Sequence, residues 1–572
     1  MVHSWQIPGG MKGSTNLVRV GARMAGLDLL QSCPAQIAAK AHPEVSPRVR
    51  GPFKGQPLET FALGPLMDVL NRVEFEGDSI QQALETVAQH RRPPSHPGLG
   101  TFTEHAVRGY LANPSNPLSC DEPMYPVRGF WVCRGKKDGV VRETWAWGRR
   151  YRSQDGAVRE LRVFRFGTAG SRTRPPAELA TAAYTTAFGS PAAWPDPWRE
   201  PFDPVPPSGP AVRRVRIVEF GCLDSSRAVL FDGTVEEAAA MYAAGAQDVL
   251  RQRALGGAPN PGSDCADCKI ITACDALPRV PGLLGIADSS KVRRTLSAAT
   301  AKAYASCPAQ EHLSRTLHLP RPLDSEYSPK AIRGQAVHAV LEANHARMPR
   351  VPCQIGDFPD GSQDWSVGRW QVRGDQALVA ARMLAHHVAV CPFRHANQVI
   401  DSRVEPVIVA HDTAADVLVV AKPDLIYRDS EGWVWRETKT TQWYGPKTMT
   451  LLEEHPQLAF AVLLLRAGVL GPGSAGARIE VEVLRPDGAD PSCLDPADPE
   501  TAAEAQRIVT GLAEPWHADM RSIARPGESC RTCPVSQWCP DYVPPRTNSD
   551  HIFDADGVDE ELLDDPQNDD AW

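Results

Sequence analysis

The alternation of hydrophobic and polar positions predicts short strands joined by tight turns, and the same arrangement occurs twice along the chain. A strand-like run opened by an acid-Gly turn occurs at 153–165 (SQDGAVRELRVFR) and again at 429–441 (DSEGWVWRETKTT). A further apolar run lies downstream in each case, at 213–224 and at 477–488. A pattern repeated at this distance indicates an internal duplication, which decides how every later motif is interpreted.

Helical periodicity separates these strands. Acid-rich amphipathic helices are predicted at 234–253 and 498–516, directly after the second apolar run of each half. More apolar helices are predicted at 62–71, 332–345 and 455–467. Strands that alternate with helices in this way indicate an α/β fold.

The cysteines repeat in the same order as the strands. Cys33 and Cys307 both lie in the sequence Ser-Cys-Pro-Ala-Gln, and each precedes a predicted helix. The segments 263–274 (SDCADCKIITAC) and 528–539 (ESCRTCPVSQWC) both read Cys-x2-Cys-x5-Cys. The upstream cysteine and the downstream triplet thus recur in both halves, which supports a tandem repeat.

These landmarks divide the chain. The Pro/Gly-containing segment 277–285 (LPRVPGLLG) is the predicted junction, and a Pro-rich insertion is predicted at 190–210. The predicted parts are a leader at 1–12, an N-terminal repeat at 13–285, a C-terminal repeat at 286–545 and an acidic tail at 546–572.

Four cysteines per repeat predict a metal centre that joins the beginning of each repeat to its end. Four thiolates suit either tetrahedral Zn or a [4Fe-4S] cluster. Zinc ribbons use two Cys-x2-Cys pairs, so one remote cysteine plus a triplet favours the cluster. The predicted ligands are Cys33, Cys265, Cys268 and Cys274 in the first repeat, and Cys307, Cys530, Cys533 and Cys539 in the second. The other six cysteines lack ligand spacing and are interpreted as ordinary thiols: Cys120, Cys133, Cys222, Cys353, Cys391 and Cys493.

The C-terminal repeat also carries residues suited to a hard metal ion. Glu437 and Lys439 are two positions apart on a predicted strand and therefore face the same side, and a hairpin would bring Asp424 beside them. Two carboxylates and the Thr438 carbonyl form an oxygen site for Mg²⁺ or Mn²⁺. A lysine there can orient or deprotonate an attacking water. On the preceding helix, His338 could reach the same ion.

Taken in order, these residues resemble the PD-(D/E)XK nuclease superfamily, and within it the RecB/AddB-type iron-sulfur exonucleases. The resemblance covers about 250 residues. It implies a metal site at His338, Asp424 and Glu437-Thr438-Lys439, with Gln457 on the following helix and Glu405 opening the strand before Asp424. It also implies that Cys307, Cys530, Cys533 and Cys539 hold an iron-sulfur cluster.

The resemblance implies two tandem restriction-endonuclease-like modules, each a mixed β-sheet flanked by helices and closed by a four-cysteine site. The implied activity is Mg²⁺- or Mn²⁺-dependent hydrolysis of DNA at ends or in single strands, in repair, recombination or defence. The chain has no Walker-type loop, so any helicase would be a separate partner. The alternatives are a non-catalytic iron-sulfur DNA-binding scaffold and an RNA substrate.

The N-terminal repeat is predicted to have lost the active site. With the acid-Gly turns aligned, Tyr151 matches Tyr427, and Asp424 falls opposite Gly148. In the same alignment, Glu437 falls opposite Leu161, Lys439 opposite Val163 and His338 opposite Asp68. The cysteines remain, so this repeat is expected to be a pseudo-nuclease that extends the DNA-binding surface, or a duplicate retained for packing.

Charge and hydropathy refine the class of partner. The net charge is −8, but residues 548–572 contain ten acids and no Lys or Arg, so the remainder carries +2 and is compatible with nucleic acid binding. No apolar run approaches the length of a membrane span, and the first residues lack a signal-peptide core. A cytoplasmic protein without membrane contact is therefore expected.

Overall fold

The computed structural model describes most of the chain. The described residues are 5–49, 51–52, 54–112, 123–206, 210–323, 327–394, 399–442, 449–471 and 476–544. The predicted acidic tail and Cys120 lie outside these ranges. Within them, no helix is both long enough and apolar enough to cross a membrane.

The N-terminal half alternates strands and helices as its sequence pattern predicts. Its strands are β1 (Met11–Lys12), β2 (Leu17–Gly21), β3 (Ser46–Pro47), β4 (Met124–Val127), β5 (Phe130–Lys137), β6 (Val140–Trp145), β7 (Arg149–Ser153), β8 (Val158–Arg165), β9 (Ser190–Ala192), β10 (Arg214–Gly221) and β11 (Arg227–Thr234). Its helices are α1 (Ala22–Gly26), α2 (Pro34–Ala41), α3 (Leu63–Asn71), α4 (Ile80–His90), α5 (Pro97–Leu111), α6 (Pro176–Phe188), α7 (Val235–Met241) and α8 (Gln247–Leu255).

The C-terminal half contains a similar succession. Its strands are β12 (Arg294–Leu296), β13 (Trp365–Val367), β14 (Trp370–Val372), β15 (Asp401–Val404), β16 (Ile408–Asp412), β17 (Val417–Ala421), β18 (Leu425–Arg428), β19 (Trp433–Thr440), β20 (Arg478–Arg485) and β21 (Gly488–Leu494). Its helices are α9 (Ala298–Ser306), α10 (Pro308–Glu311), α11 (Pro329–His345), α12 (Asp375–Val390), α13 (Leu451–Glu454), α14 (Pro456–Arg466) and α15 (Pro499–Ala518).

The main sheets of the two halves have the same topology. The N-terminal sheet has the order β4-β7-β8-β10-β11, and the C-terminal sheet has the order β15-β18-β19-β20-β21. In each sheet the third and fourth strands are parallel and every other neighbouring pair is antiparallel. The fold is therefore mixed α/β in both halves.

A smaller sheet accompanies each main sheet, and it too recurs. In β2-β6-β5 and in β12-β17-β16, the first pair of strands is parallel and the second pair is antiparallel. The N-terminal sheet adds β9, which comes from the predicted Pro-rich insertion. Both sheets of one half thus have counterparts in the other.

Each main sheet buries apolar residues beneath a helix. In the C-terminal half, Trp433 and Trp435 of β19 lie in one core with the apolar helix α14 and with α15. In the N-terminal half, Leu161 and Val163 of β8 pack with the alanine-rich α6. Alternate residues of each strand face these helices because side chains alternate across a sheet.

Each cysteine-rich segment packs against the opposite half of the molecule. Trp538, from the C-terminal triplet, shares a core with Phe102 of α5. Cys268, from the N-terminal triplet, shares a core with Val409 and Leu418 of the C-terminal half. The predicted junction is also fixed, since Asp412 accepts hydrogen bonds from the Gly282 and Leu284 amides at 2.9 and 2.8 Å. The halves are consequently joined at two reciprocal contacts.

Candidate active site and cysteine centres

Asp424 immediately precedes β18 and is the best-anchored residue of the predicted metal site. Its Oδ1 lies 3.1 Å from Nδ1 of His338, on α11. Its Oδ2 accepts a hydrogen bond of 2.6 Å from the Thr438 amide on β19. The hairpin β18–β19 thus places Asp424 beside Thr438, and α11 adds His338 from a distant part of the sequence.

Glu437 and Lys439 lie on the same face of β19, as their spacing predicts. The Lys439 Nζ is 3.4 Å from Glu437 Oε2, and the side chains are 16% and 5% exposed. The Trp435 indole donates a 2.9 Å hydrogen bond to Glu437 Oε1. This bond fixes one carboxylate oxygen and leaves the other beside the lysine.

Charge in the site favours an ionised Asp424. Burial alone would raise the pKa of this carboxyl, but the neighbouring His338 and Lys439 and the Thr438 amide together lower it below its usual value. A carboxylate that stays ionised over the whole neutral range is what a divalent cation requires. The donor set of two carboxylates and one imidazole therefore fits Mg²⁺ or Mn²⁺.

A pocket of about 320 Å³ opens beside this group. Its polar lining includes His338, Glu342, Glu405, Asp424, Arg436 and Thr438. The Glu405 amide donates to the Asp424 carbonyl at 3.0 Å, and its carboxylate pairs with Lys422 at 2.7 Å. Gln457, the second residue of α14, is half-buried and takes part in none of these contacts within the described ranges. Glu342 was not predicted, although its position four residues after His338 puts both on one helix face.

The four cysteines predicted as a cluster in the C-terminal half surround one pocket. Cys307, Cys530, Cys533 and Cys539 all line one pocket. The triplet folds as two short 3₁₀ turns, Glu528–Thr532 and Ser536–Trp538. Backbone amides point at the sulfurs: Arg525 donates to Cys307 Sγ at 3.3 Å and Gly527 to Cys530 Sγ at 3.5 Å.

The N-terminal cysteines have the same local structure. Their triplet also forms two 3₁₀ turns, Ser263–Asp267 and Ile271–Ala273. The Asn260 amide donates to Cys33 Sγ at 3.3 Å, and the Gly262 amide donates to Cys265 Sγ at 3.5 Å. Amide donors of this kind stabilise negative charge on sulfur ligands.

The thiols of each set are close enough to influence one another. Burial, followed by the neighbouring cysteines, raises the pKa of Cys268 and of Cys533 to about 12. Thiols with such pKa values stay protonated at neutral pH unless a bound cation offsets the charge. The two sets therefore share their backbone arrangement and the raised pKa of the second cysteine of each triplet.

The N-terminal counterpart of the carboxylate site differs from the predicted alignment by two residues. Tyr151 pairs with Glu160, whereas Tyr427 pairs with Val434, because the β7–β8 turn is two residues longer than the β18–β19 turn. Matching the tyrosines by strand pairing places Glu437 at Val163 and Lys439 at Arg165, in place of Leu161 and Val163. Asp68, expected opposite His338, forms an ion pair with Arg91.

Buried ion pairs occupy this part of the N-terminal half. Arg165 donates to Glu219 at 2.9 Å, and Arg174 bridges Glu219 and Glu178 at 2.7 Å each. Burial raises the pKa of Glu219, but the two arginines more than offset this and lower it overall. Its carboxylate is thus already neutralised by protein cations.

A second group of metal-ligating side chains was not predicted. His345, Cys353, His387 and Cys391 are all buried, and one donor atom of each lies within 4.8 Å of all the others. The sequence analysis interpreted Cys353 and Cys391 as ordinary thiols and so missed this group. His345 and Cys353 are distant in the sequence from His387 and Cys391, and only the fold brings the two pairs together. One signal was available in the sequence: His387 and Cys391 are four residues apart, which is a common ligand spacing.

Comparison with known proteins gives a family match in the C-terminal half. The family model of the PD-(D/E)XK nuclease superfamily matches residues 295–540. The matched region runs from β12 to just beyond Cys539, so it includes the carboxylate site and the C-terminal cysteines. A search of curated proteins finds no match to the chain.

Proposed function

Because residues 295–540 form a PD-(D/E)XK nuclease superfamily domain, we propose that the chain is a metal-dependent DNA nuclease that acts on ends or single strands. The observation that carries the proposal is the convergence of His338, Asp424, Glu437 and Lys439 around one hairpin. Membership of the superfamily supports phosphodiester hydrolysis. The DNA substrate, the metal and the mode of cleavage belong to the proposal.

Three side chains would hold the cation: Asp424, Glu437 and His338, with the Thr438 carbonyl as a further oxygen. A bound Mg²⁺ or Mn²⁺ supplies Lewis-acid polarisation of the phosphate and lowers the pKa of a water. The protein orients these ligands through the Thr438 amide and the Trp435 indole. It also excludes water on the core side of β19, where Trp435 is 1% exposed.

Lys439 would act on the attacking water. Its ammonium lies beside Glu437, is 16% exposed and can donate a hydrogen bond toward the solvent-facing side of the site. From there it can orient the nucleophile and stabilise the charge that develops on the phosphate oxygens. Orientation of the water and charge stabilisation are its proposed contributions.

We further propose that the two halves arose by duplication and that the N-terminal half is catalytically inactive. The shared topology of both pairs of sheets supports the duplication. Arg165, Arg174 and Glu219 support the loss of activity, because they neutralise one another where a metal site would need unpaired carboxylates. Such a module could guide a DNA strand toward the C-terminal site.

Each set of four cysteines is proposed to hold a [4Fe-4S] cluster, with zinc as the alternative. The amide donors to sulfur in both halves support a cofactor held by thiolates, and the spacing of one remote cysteine plus a triplet favours the cluster. The cluster would be a structural element that joins the two ends of each repeat. A non-catalytic iron-sulfur scaffold that binds DNA is the competing interpretation of the whole chain. A nuclease that acts on RNA is a further alternative.

Substitution of Lys439 tests the enzyme hypothesis. Lys439→Ala is expected to reduce cleavage of linear DNA by at least about 10²-fold, the usual effect of losing one charge-stabilising donor. The visible absorbance and iron content should stay at wild-type values. Lys136→Ala, at an exposed position of β5, is the matched control and should cleave normally.

Substrate panels separate the alternatives. Linear and circular, single- and double-stranded DNA and a matched RNA should be incubated with Mg²⁺, with Mn²⁺ and with EDTA. Cleavage restricted to DNA with free ends or single strands supports the proposal. Full activity of Lys439→Ala, or wild-type protein that binds DNA without cutting it in either metal, would establish the scaffold interpretation instead.

A further inference from the structure

Four buried side chains from three segments converge in the C-terminal half, away from both cysteine-rich triplets. His345 ends α11, Cys353 lies in the following loop, and His387 and Cys391 lie at the end of α12. Their exposures are 7%, 2%, 0% and 3%. Their donor atoms are mutually within 4.8 Å, close to the separation of ligands that surround one tetrahedral ion.

Hydrogen bonds orient these donors toward a common point. The His387 Nδ1 lies 2.7 Å from Glu482, whose buried carboxylate accepts, so Nδ1 carries a proton and, in the neutral ring that binds metal, Nε2 presents a lone pair. That Nε2 lies 3.2 Å from Nε2 of His345. The Cys353 amide donates to Cys391 Sγ at 3.4 Å. In metal sites, a carboxylate that accepts from an imidazole typically orients the ring, and an amide that donates to a sulfur stabilises its negative charge.

We propose that His345, Cys353, His387 and Cys391 bind one structural zinc ion. Two thiolates and two imidazoles are the Cys₂His₂ set that zinc prefers, and no open position is needed because all four donors are buried. The oxygen-rich carboxylate site would take a different, harder cation. This assignment is independent of the nuclease activity.

The ion would join α11, the loop at 346–353 and α12 behind the main sheet. Glu482, on β20, accepts hydrogen bonds from both His387 and Arg436, the latter at 2.8 Å. Arg436 also lines the pocket that holds Asp424. Through Glu482, the zinc therefore fixes α12 against the strands that carry the carboxylate site. His387 and Glu482 are positioning residues in this respect.

Metal analysis of single variants tests the site. Zinc and iron should be measured by mass spectrometry in purified wild-type protein and in Cys353→Ser. The loss of about one zinc per chain, with iron unchanged, is the expected result. Two control variants leave all four proposed ligands intact. Cys493→Ser, at an exposed cysteine, and His386→Ala, next to His387, should both retain the zinc. Equal zinc in Cys353→Ser and wild type would overturn the proposal.

Spectroscopy of wild-type protein gives an answer even if Cys353→Ser fails to fold. Zinc X-ray absorption should show two sulfur ligands near ~2.3 Å and two nitrogen ligands near ~2.0 Å. Only sulfur ligands, or absence of zinc, would overturn the assignment. A Cys353–Cys391 disulfide, detected by peptide mass spectrometry of non-reduced protein in most molecules, would overturn it as well.

Discussion

The two main sheets of this molecule use the same strand positions for different chemistry. On β19, Glu437 and Lys439 lie next to Asp424, and the carboxylates outnumber the lysine. At the corresponding place in the N-terminal sheet, Arg165 of β8 pairs with Glu219 of β10. In the C-terminal sheet the carboxylates exceed the lysine in number, whereas in the N-terminal sheet the carboxylate is paired with an arginine.

The cysteine centres differ much less than the sheets do. In both halves an upstream cysteine precedes a helix that begins with proline, and the triplet forms two 3₁₀ turns. The same two sulfurs of each set accept amide hydrogen bonds, at 3.3 and 3.5 Å in both halves. The two cysteine sets are thus alike in local structure, whereas the side chains at corresponding positions of the two main sheets are not.

The strongest test of this comparison removes one centre at a time. Cys265→Ser and Cys530→Ser should each lower the iron content from about eight to about four per chain. Each should also reduce the free energy of unfolding by several kcal/mol, because metal binding contributes directly to folding. Because the N-terminal triplet packs on Val409 and the C-terminal triplet on Phe102, each change should expose protease sites in the opposite half.

Limited proteolysis with mass spectrometry, together with iron analysis and thermal unfolding, measures these effects. Cys222→Ser is a poor control because Cys222 is fully buried, so the exposed Cys493→Ser is used instead. New cleavage confined to the half that carries the substitution would show that the reciprocal packing does not transmit stability. Unchanged iron in either variant would remove that centre from the comparison.

Local sequence patterns predicted the elements of both halves because their determinants are local. The hairpins at 153–165 and 429–441 and the helices at 332–345 and 455–467 are present in the structure, since periodicity and turn chemistry act over a few residues. The structure also brings His338 within 3.1 Å of Asp424, the carboxylate whose ion the sequence analysis suggested it could reach. Whether these residues catalyse hydrolysis stays a prediction.

Long-range features escaped the sequence because nothing local encodes them. Alignment at the acid-Gly turns could not reveal that one hairpin is two residues longer, so Leu161 was matched where strand pairing gives Val163. The grouping of His345 and Cys353 with His387 and Cys391 depends on the packing of α11 against α12. The contact of each triplet with the opposite half likewise follows from tertiary structure alone.

A smaller effect on stability is expected when a residue of the C-terminal triplet is replaced by the one at the corresponding position of the N-terminal triplet. Trp538, 1% exposed, precedes Cys539, and the corresponding residue before Cys274 is Ala273. The Trp538 ring packs edge-on against Phe102 at 5.1 Å, and its indole donates to the Pro320 carbonyl at 2.6 Å. Trp538→Ala should therefore reduce the free energy of unfolding by about 3–5 kcal/mol.

Denaturant unfolding monitored by circular dichroism measures this change, with Trp538→Phe as a variant that retains much of the ring volume. The phenylalanine variant should lose less than the alanine variant because it keeps the contact with Phe102. Iron content should be the same in all three proteins, since the substitution removes no ligand. If Trp538→Ala has the same free energy of unfolding as wild type, the contact between the C-terminal triplet and α5 contributes little to stability. The tryptophan would then not distinguish the two triplets energetically.

The smallest predicted effect concerns the position four residues after the upstream cysteine, which is Ile37 in one half and Glu311 in the other. Both are buried, at 1% and 6% exposure, and burial raises the pKa of Glu311 to about 7. Because this folded-state pKa exceeds the unfolded value, the protonated carboxyl favours folding at low pH, and that contribution is lost as the pH rises from about 4.5 through 7.

Replacing the carboxyl by an amide removes this dependence while keeping its shape. Relative to wild type, Glu311→Gln should gain roughly 2 kcal/mol of unfolding free energy between pH 5.5 and pH 7.5. Ile37→Val is the matched control: it should cost about 1 kcal/mol at every pH, since it removes one methylene and no charge. Denaturant titrations of the three proteins at several pH values supply the comparison. Parallel pH profiles for Glu311→Gln and wild type would mean that Glu311 is ionised in the folded protein, stabilised by Arg294, and that burial alone does not distinguish the two positions.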